Sequence, residues 1–270
     1  MTSQLDLDAL CELAIGAAHA GGEIVRGAFG SDVHPELKGA GDWVSEIDTT
    51  SERTIRDHLL AAQPEIPVFG EEEGGDRAEL GWLVDPLDGT ANFLHGFPIV
   101  GVSVALVRDG TPIVGVVHAP MLGNTYTAVT GGGARLNNTS IRVSAREIEH
   151  AICATGFPFR AKRERLGEYF PVFERALVEF EDLRRAGSAS LDLAWTAAGV
   201  YDGYFEQQLG PWDVAAGALI VREAGGVVTD WSGDDRAWLT TGDIVAGPPA
   251  VHERLLALIA SARSGVAAEE

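Results

Sequence analysis

In Trp82–Phe93, WLVDPLDGTANF, an apolar run delivers two aspartates and a Gly-Thr pair. Asp85 closes a strand, so its side chain can project from the sheet edge. Pro86 cannot extend the ladder and sets a turn. Asp88 comes three residues later and can converge on the same point, with the carbonyl of Leu87 between them. Two carboxylates and a carbonyl make a hard, all-oxygen ligand set that suits Mg²⁺ or Mn²⁺. Gly89 lets a backbone N–H approach a ligand closely. If TANFLHG opens a helical turn, the N–H groups of Gly89 and Thr90 point at a phosphate. The plain structural reading, a DPxDG turn with Asp as helix cap, accounts for this stretch alone about as well.

Other acids stand in stretches with plain readings of their own. Glu71, Glu72 and Glu73 follow a short strand in GEEEGG and read alone as solvated surface. Asp213 opens the apolar helix of PWDVAAG and reads alone as a cap. DWVSEID supplies Asp42 and Asp48. Taken in order, Gly70-Glu71-Glu72, Asp85-Pro86-Leu87-Asp88-Gly89-Thr90 with Asn92-Phe93, and Trp212–Gly217 resemble the signatures of the inositol monophosphatase family. That family belongs to the lithium-sensitive, magnesium-dependent phosphatases that include fructose-1,6-bisphosphatase. DWVSEID resembles its early D-x-V-T-x-x-D element, with Ser45 where Thr is usual. Gly187-Ser188-Ala189-Ser190 and Tyr204-Phe205-Glu206 also match. The similarity runs from about Leu13 to Leu258.

The resemblance implies a set of roles. Glu71, Asp85 and the Leu87 carbonyl hold one Mg²⁺; Asp85, Asp88 and Asp213 hold a second; Glu71 shares a weaker third, and Mn²⁺ can substitute. Thr90, hydrogen-bonded to Asp48, and Glu71 orient the attacking water. The Gly89–Thr90 backbone holds the phosphate. Asp88, the backbone of Ala189, and Glu206 contact substrate hydroxyls, and Lys38 lies on a loop that covers the site. Asp42 is a further candidate. Arg185, in the basic pair Arg184-Arg185, could reach a substrate anion or an inter-subunit partner. The implied fold is a layered α/β/α/β/α sandwich, usually a homodimer.

The elements that must position these groups are legible in outline. Leu10, Leu13, Ala14, Ala17 and Ala18 recur at helical spacing within a helix from about Leu5 to Gly30. ELKGAGDWVSEID reads as a loop or short hairpin, and Thr49–Ala62 as a second helix. Strands follow at IPVFG, GWLVD, IVGVSVALV, PIVGVVHAP, NTYTAVT and GGGARLNN. The later part alternates. Glu164–Glu181, SLDLAWTAAGV, PWDVAAGALIVRE and AVHERLLALIASA read as helices, and YDGYFEQ, VVTDWSG and DIVAGPP as strands. Arg175 and Glu179 stand at i,i+4 spacing on a solvated face or a dimer rim. Such a pattern of meander then alternation predicts a layered α/β or α+β sandwich. One domain is expected over about 1–263, with halves meeting near 145, and a frayed tail over 264–270.

Composition bounds the function. Forty Asp+Glu against 20 Lys+Arg leave a formal charge of −20, which repels nucleic acid and anionic lipid and equally repels a phosphorylated metabolite unless cations intervene. No apolar run reaches membrane-spanning length, and MTSQLDLDAL lacks the basic and apolar regions of a signal peptide. Two isolated cysteines, Cys11 and Cys153, fit small core residues in a reducing cytoplasm. The seven histidines form no HxxxH or HxH pair that would argue for zinc, and His95 reads as packed or bonded to backbone. Ser188 lacks a G-x-S-x-G frame, and Gly131–Gly133 is followed by no Gly-Lys-Ser/Thr. The expectation is a cytoplasmic, Mg²⁺-dependent phosphomonoesterase acting on inositol 1-phosphate or a similar small polyol phosphate, with no nucleic-acid or membrane partner. Asn92 leans away from adenosine bisphosphates. Fructose-1,6-bisphosphatase and histidinol-phosphate phosphatase are the rivals on the same scaffold. A non-enzymatic regulator is the alternative of another class, since some bacterial relatives bind transcription or RNA-processing partners.

Overall fold

The computed structural model describes residues 5–39, 42–158 and 162–266, and within them all side chains but those of Lys38, Asp42, Lys162, Arg163 and Val266. A helix α1 (Leu7–Ala28) and a short hairpin, β1 (Glu36–Gly39) and β2 (Asp42–Val44), lead into α2 (Glu46–Ala62). Then come β3 (Val68–Gly70), β4 (Leu80–Asp88), the single turn α3 (Thr90–Leu94), and β5 (Gly101–Arg108) through β6 (Thr111–Ala119), β7 (Asn124–Val129), β8 (Gly133–Leu136) and β9 (Thr139–Ser140). Strands β3 to β9 form one seven-stranded sheet in chain order, antiparallel except for the β3–β4 pair. The later part adds β10 (Ile152–Thr155), α4 (Lys162–Glu179), β11 (Asp182–Arg184), α5 (Ala189–Ala197), β12 (Gly203–Glu206), α6 (Pro211–Glu223), β13 (Val227–Thr229), α7 (Trp238–Thr241), β14 (Ile244–Gly247) and α8 (Pro249–Val266). Its five strands run in the order β11-β10-β12-β14-β13.

Alternation along the strands makes the layers. On β5, Val102, Val104 and Leu106 point to a core shared with α1 and α2. Ala105 and Val107, between them, point to a core built around α5 and α6. On β14, Ile244 and Ala246 join that middle core, while Val245 joins a third core under α4 and α8. Both faces of both sheets are covered, so the architecture is the α/β/α/β/α sandwich. Each fully buried Val or Leu of these cores contributes about 1.5–3 kcal/mol of transfer free energy. Helix α6 is buried nearly all round, from Asp213 to Val221. A helix so placed is a rigid mount for whatever its first turn carries.

Several boundaries differ from the sequence reading. Helix α2 begins at Glu46 rather than Thr49. Ser45 caps it in a capping box with Asp48, whose Oδ2 accepts from the Ser45 N–H at 2.8 Å. Strand β4 continues past Pro86 to Asp88, with its register against β5 broken between Asp85 and Asp88. Pro86 thus sits at a ladder irregularity, where a missing N–H is tolerated. Arg175 and Glu179 do not pair. Arg175 donates to the Pro171 carbonyl, and Glu179 takes a two-pronged bond from Arg254, at 2.6 and 2.7 Å, that ties α4 to α8. His95 is exposed rather than packed. Helix α8 continues through Val266, past the predicted start of the tail, and Arg263 anchors it to Glu168 and the Trp231 carbonyl. Strand β11 and the short α7 have too few residues to show a period. Cys11 and Cys153 are buried and unlinked.

Candidate active site

The site grows from the end of β4. The broken register after Asp85 turns the chain out of the ladder, and Asp85 Oδ1 accepts the Leu87 N–H at 3.0 Å, shaping the turn. Gly89 follows with φ +94°, a left-handed conformation that a side chain would strain. A Cβ there would also lie 3.0 Å from the Ile99 carbonyl. Thr90 opens α3, and its hydroxyl donates to Asp48 Oδ1 at 2.9 Å and lies 3.1 Å from the Leu87 carbonyl. Asp48 is held by Ser45 through both the backbone N–H and the hydroxyl, at 2.8 and 2.5 Å. Burial raises the pKa of Asp48, against the hydrogen bonds from Ser45 and Thr90 that lower it.

Three carboxylates from three distant parts of the chain meet here. Glu71, just past β3, Asp85 on β4 and Asp213 in the first turn of α6 each offer an oxygen, and these oxygens lie within 4.8 Å of one another. Asp85 and Asp213 are buried and Glu71 is half-buried. Asp213 accepts the Gly210 N–H at 2.7 Å, so it is indeed a cap, and the same side chain faces the cluster. Burial pushes the Asp85 pKa well up, and the negative charges of Glu71, Asp88 and Asp213 push it further. Buried carboxylates arranged around one another are unfavourable unless a cation or a proton neutralises them. The donors are all hard oxygens, and the residues present therefore fit a Mg²⁺ or Mn²⁺ ion.

Asp88 lies beside this trio, its charge acting on Asp85. Its Oδ2 accepts from the Ser188 hydroxyl at 2.7 Å, the Ser190 N–H at 2.7 Å and the Ser190 hydroxyl at 2.5 Å. Burial raises its pKa against these bonds and those from the Ser190 and Ala189 backbone. Asp88 therefore caps α5 from across the sheet and ties β4 to the α5 N-terminus, where Ala189 is the first residue. Glu206 ends β12 and is buried. Burial raises its pKa to about 7, although the Tyr204 hydroxyl donates to it at 2.6 Å and Arg185 lowers it through charge. Arg185 lies on this side of the site, its guanidinium 5.7 Å above the Phe157 ring. Lys38 and Asp42 lie on β1 and β2, and their side chains fall outside the described part of the structure.

Sequence reasoning missed Ser51, Glu52 and Arg56 on α2, which touch the site's backbone or one another. It placed Ser188 and Ser190 in a matching motif but gave them no role, and both hydroxyls donate to Asp88. A signal existed: Asp48, Ser51 and Glu52 fall on the same helical stripe as Ile55 and Leu59, which is buried throughout.

The chain matches the inositol monophosphatase family over residues 6–264. It belongs to that family. A Nus factor SuhB of Escherichia coli is 41% identical over 254 residues, covering 92% of this chain and 94% of that one. The crystal structure of the extragenic suppressor protein SuhB of Bartonella henselae superposes with a TM-score of 0.89 at 36% identity, over 93% of this chain and 98% of that one. An IMPase of Thermotoga maritima does so with a TM-score of 0.87 at 32% identity, over 96% and 99%. Relatives within the inositol monophosphatase family thus carry two kinds of name, one enzymatic and one not. Among the described residues, no helix is long and apolar enough to cross a membrane.

Proposed function

We propose that this chain hydrolyses the phosphate monoester of a small polyol or sugar, with inositol 1-phosphate as the preferred substrate, and uses Mg²⁺. The observation that carries the reading is the convergence of Glu71, Asp85 and Asp213 beside the Thr90–Asp48 hydrogen bond. In the proposed assignment Glu71, Asp85, Asp213, one oxygen of Asp88 and the Leu87 carbonyl hold two or three ions. Bound there, Mg²⁺ supplies positive charge that lowers the pKa of a water and neutralises the phosphate dianion.

The chain does the positioning. Thr90 donates its own proton to Asp48, so its oxygen lone pairs are left to accept from the attacking water. That water's proton passes toward Thr90 Oγ1 while Asp48 Oδ1 takes the Thr90 proton. Glu71 accepts a hydrogen bond from the water's other O–H, the water oxygen bonds to phosphorus as the ester P–O bond breaks, and the departing alkoxide takes a proton from solvent water. The Gly89–Thr90 backbone receives the phosphate, and Glu206 with the Ala189 backbone receives the substrate hydroxyls. With a pKa near 7, Glu206 can accept from or donate to such a hydroxyl. The enzyme is read as a cytoplasmic homodimer.

The Nus factor name of the E. coli relative favours a second reading, a regulatory partner protein without turnover. The same name withdraws the exclusion of nucleic acid that charge alone had supported. A kinetic panel with Mg²⁺ on inositol 1-phosphate, fructose 1,6-bisphosphate, histidinol phosphate and an adenosine bisphosphate separates these readings. The proposal expects the highest kcat/KM on inositol 1-phosphate. Absence of turnover on all four would leave the regulatory reading.

A further inference from the structure

The buried stripe of α2 carries three polar residues in succession, Asp48, Ser51 and Glu52, ahead of Ile55 and Leu59. A helix packed on a sheet places apolar side chains there. Each of the three grips a different part of the site. Asp48 holds the Thr90 hydroxyl. Ser51 Oγ donates to the Pro86 carbonyl at 3.0 Å, inside the segment where β4 leaves its ladder. Glu52, fully buried, accepts the Glu72 N–H at 2.7 Å and the Glu73 N–H at 3.0 Å.

From this geometry we infer that α2 is the strut that registers the site, and that Glu52 and Ser51 are positioning residues acting through the backbone. The Glu71 N–H is held by the Val84 carbonyl at 3.0 Å, and the next two N–H groups are held by Glu52. With the backbone pinned before and after it, Glu71 is presented from a single place. Gly70 is part of the clamp: a Cβ there would lie 2.1–2.5 Å from the Glu52 carboxylate atoms. Arg56 compensates the buried charge. Its Nη2 lies 3.0 Å from Glu52 and 2.9 Å from the Gly74 carbonyl, and its Nη1 donates to the Val68 carbonyl at 2.8 Å. Burying an ionised carboxylate is unfavourable without such compensation, whereas water alone can satisfy the amides of an ordinary surface turn.

The consequence for metal rests on the phosphatase reading; the clamp does not. The test therefore has two arms, run on the full chain. Hydrogen exchange in EDTA reads the Glu72 and Glu73 amides directly. Mn²⁺ titration followed by EPR reads the affinity of the carboxylate trio. Glu52→Gln keeps the side-chain volume, and it is expected to speed exchange at both amides and to raise the Mn²⁺ Kd about tenfold or more, as loss of an outer-sphere partner does. Ser51→Ala should raise the Kd less, in the same direction, and serves if Glu52→Gln does not fold. Ile55→Val lowers stability from the same helix and should leave both readouts within about twofold, which separates positioning from mere destabilisation. Unchanged exchange and Mn²⁺ affinity in Glu52→Gln would overturn the inference. If the wild type itself takes up no Mn²⁺, the phosphatase reading falls, while the exchange arm still decides the strut.

Discussion

The carboxylates of α2 and the carboxylates of the trio meet at the same turn, and they are satisfied in opposite ways. Glu52 has two amides and a guanidinium within hydrogen-bond reach, and Asp48 has the Ser45 N–H and two hydroxyls. Asp85 has one amide, from Leu87, and its dominant electrostatic neighbours are Glu71, Asp88 and Asp213. A buried charge with donors built into the fold contributes to that fold. A buried charge among like charges works against it until something positive arrives. The difference separates acids that the fold satisfies from acids that it leaves among like charges, within one chemical type.

The sharpest way to break this comparison is Asp85→Asn. Turnover with Mg²⁺ should fall by more than about 100-fold, the loss that even an outer-sphere partner can cause. The same substitution should raise the melting temperature of the metal-free protein, by ~2–4 °C for each kcal/mol of relieved repulsion. A metal-free melt that drops instead would show that Asp85 was already satisfied by the fold.

Thr90→Ala comes next. It should lower kcat roughly 10²-fold, within the range of general acid–base contributions, and leave Mn²⁺ affinity within about twofold. Steady-state kinetics and EPR on one preparation decide it. Equal losses in both would put Thr90 with the scaffold.

The smallest effect is a slope with pH. Glu206 has a folded pKa raised from 4.5 to about 7, and burial raises Asp85 likewise. For raised acids, the stabilisation is full below the unfolded pKa and is lost as pH rises through the folded value. Burial lowers the pKa of His118 to about 4 and that of His252 as well; both are about half protonated in the unfolded chain at pH 6.5, so their contribution grows as pH rises and opposes that of the acids. Between pH 6.5 and 8 the Glu206 contribution in the metal-free protein should fall by about 1 kcal/mol, read as the difference between wild type and Glu206→Gln. Glu206→Gln should abolish that contribution and leave the histidine contribution alone. Urea midpoints at fixed pH in EDTA measure it. A wild-type minus Glu206→Gln difference that grows with pH would overturn the assignment of Glu206 as a raised acid.

Local chemistry explains what could be read in advance and what could not. The α5 and α6 helices and the long strands β4 to β6 announce themselves through apolar runs, because burial on both faces demands them. Helix α2 starts earlier than its apolar residues imply, because its first turn is built from Ser45, Glu46 and Asp48, whose types also read as a catalytic motif. Spacing groups Asp88 with Asp85, but it gives no sign that Oδ2 turns to Ser188 and Ser190, a hundred residues away, where the α5 N-terminus offers donors. Arg175 and Glu179 satisfy a helical pairing rule, yet Glu179 finds a guanidinium on α8.

By itself the sequence determined the donor chemistry. Hard oxygen donors at Glu71, Asp85 and Asp213, a φ-permissive Gly89 and a hydroxyl at Thr90 are properties of residue types and short spacings. Only the tertiary structure decided which acids stand together and which stand in the frame. That choice depends on which N–H groups and guanidinium each carboxylate meets after the sheets close, and those groups belong to segments that no local rule connects.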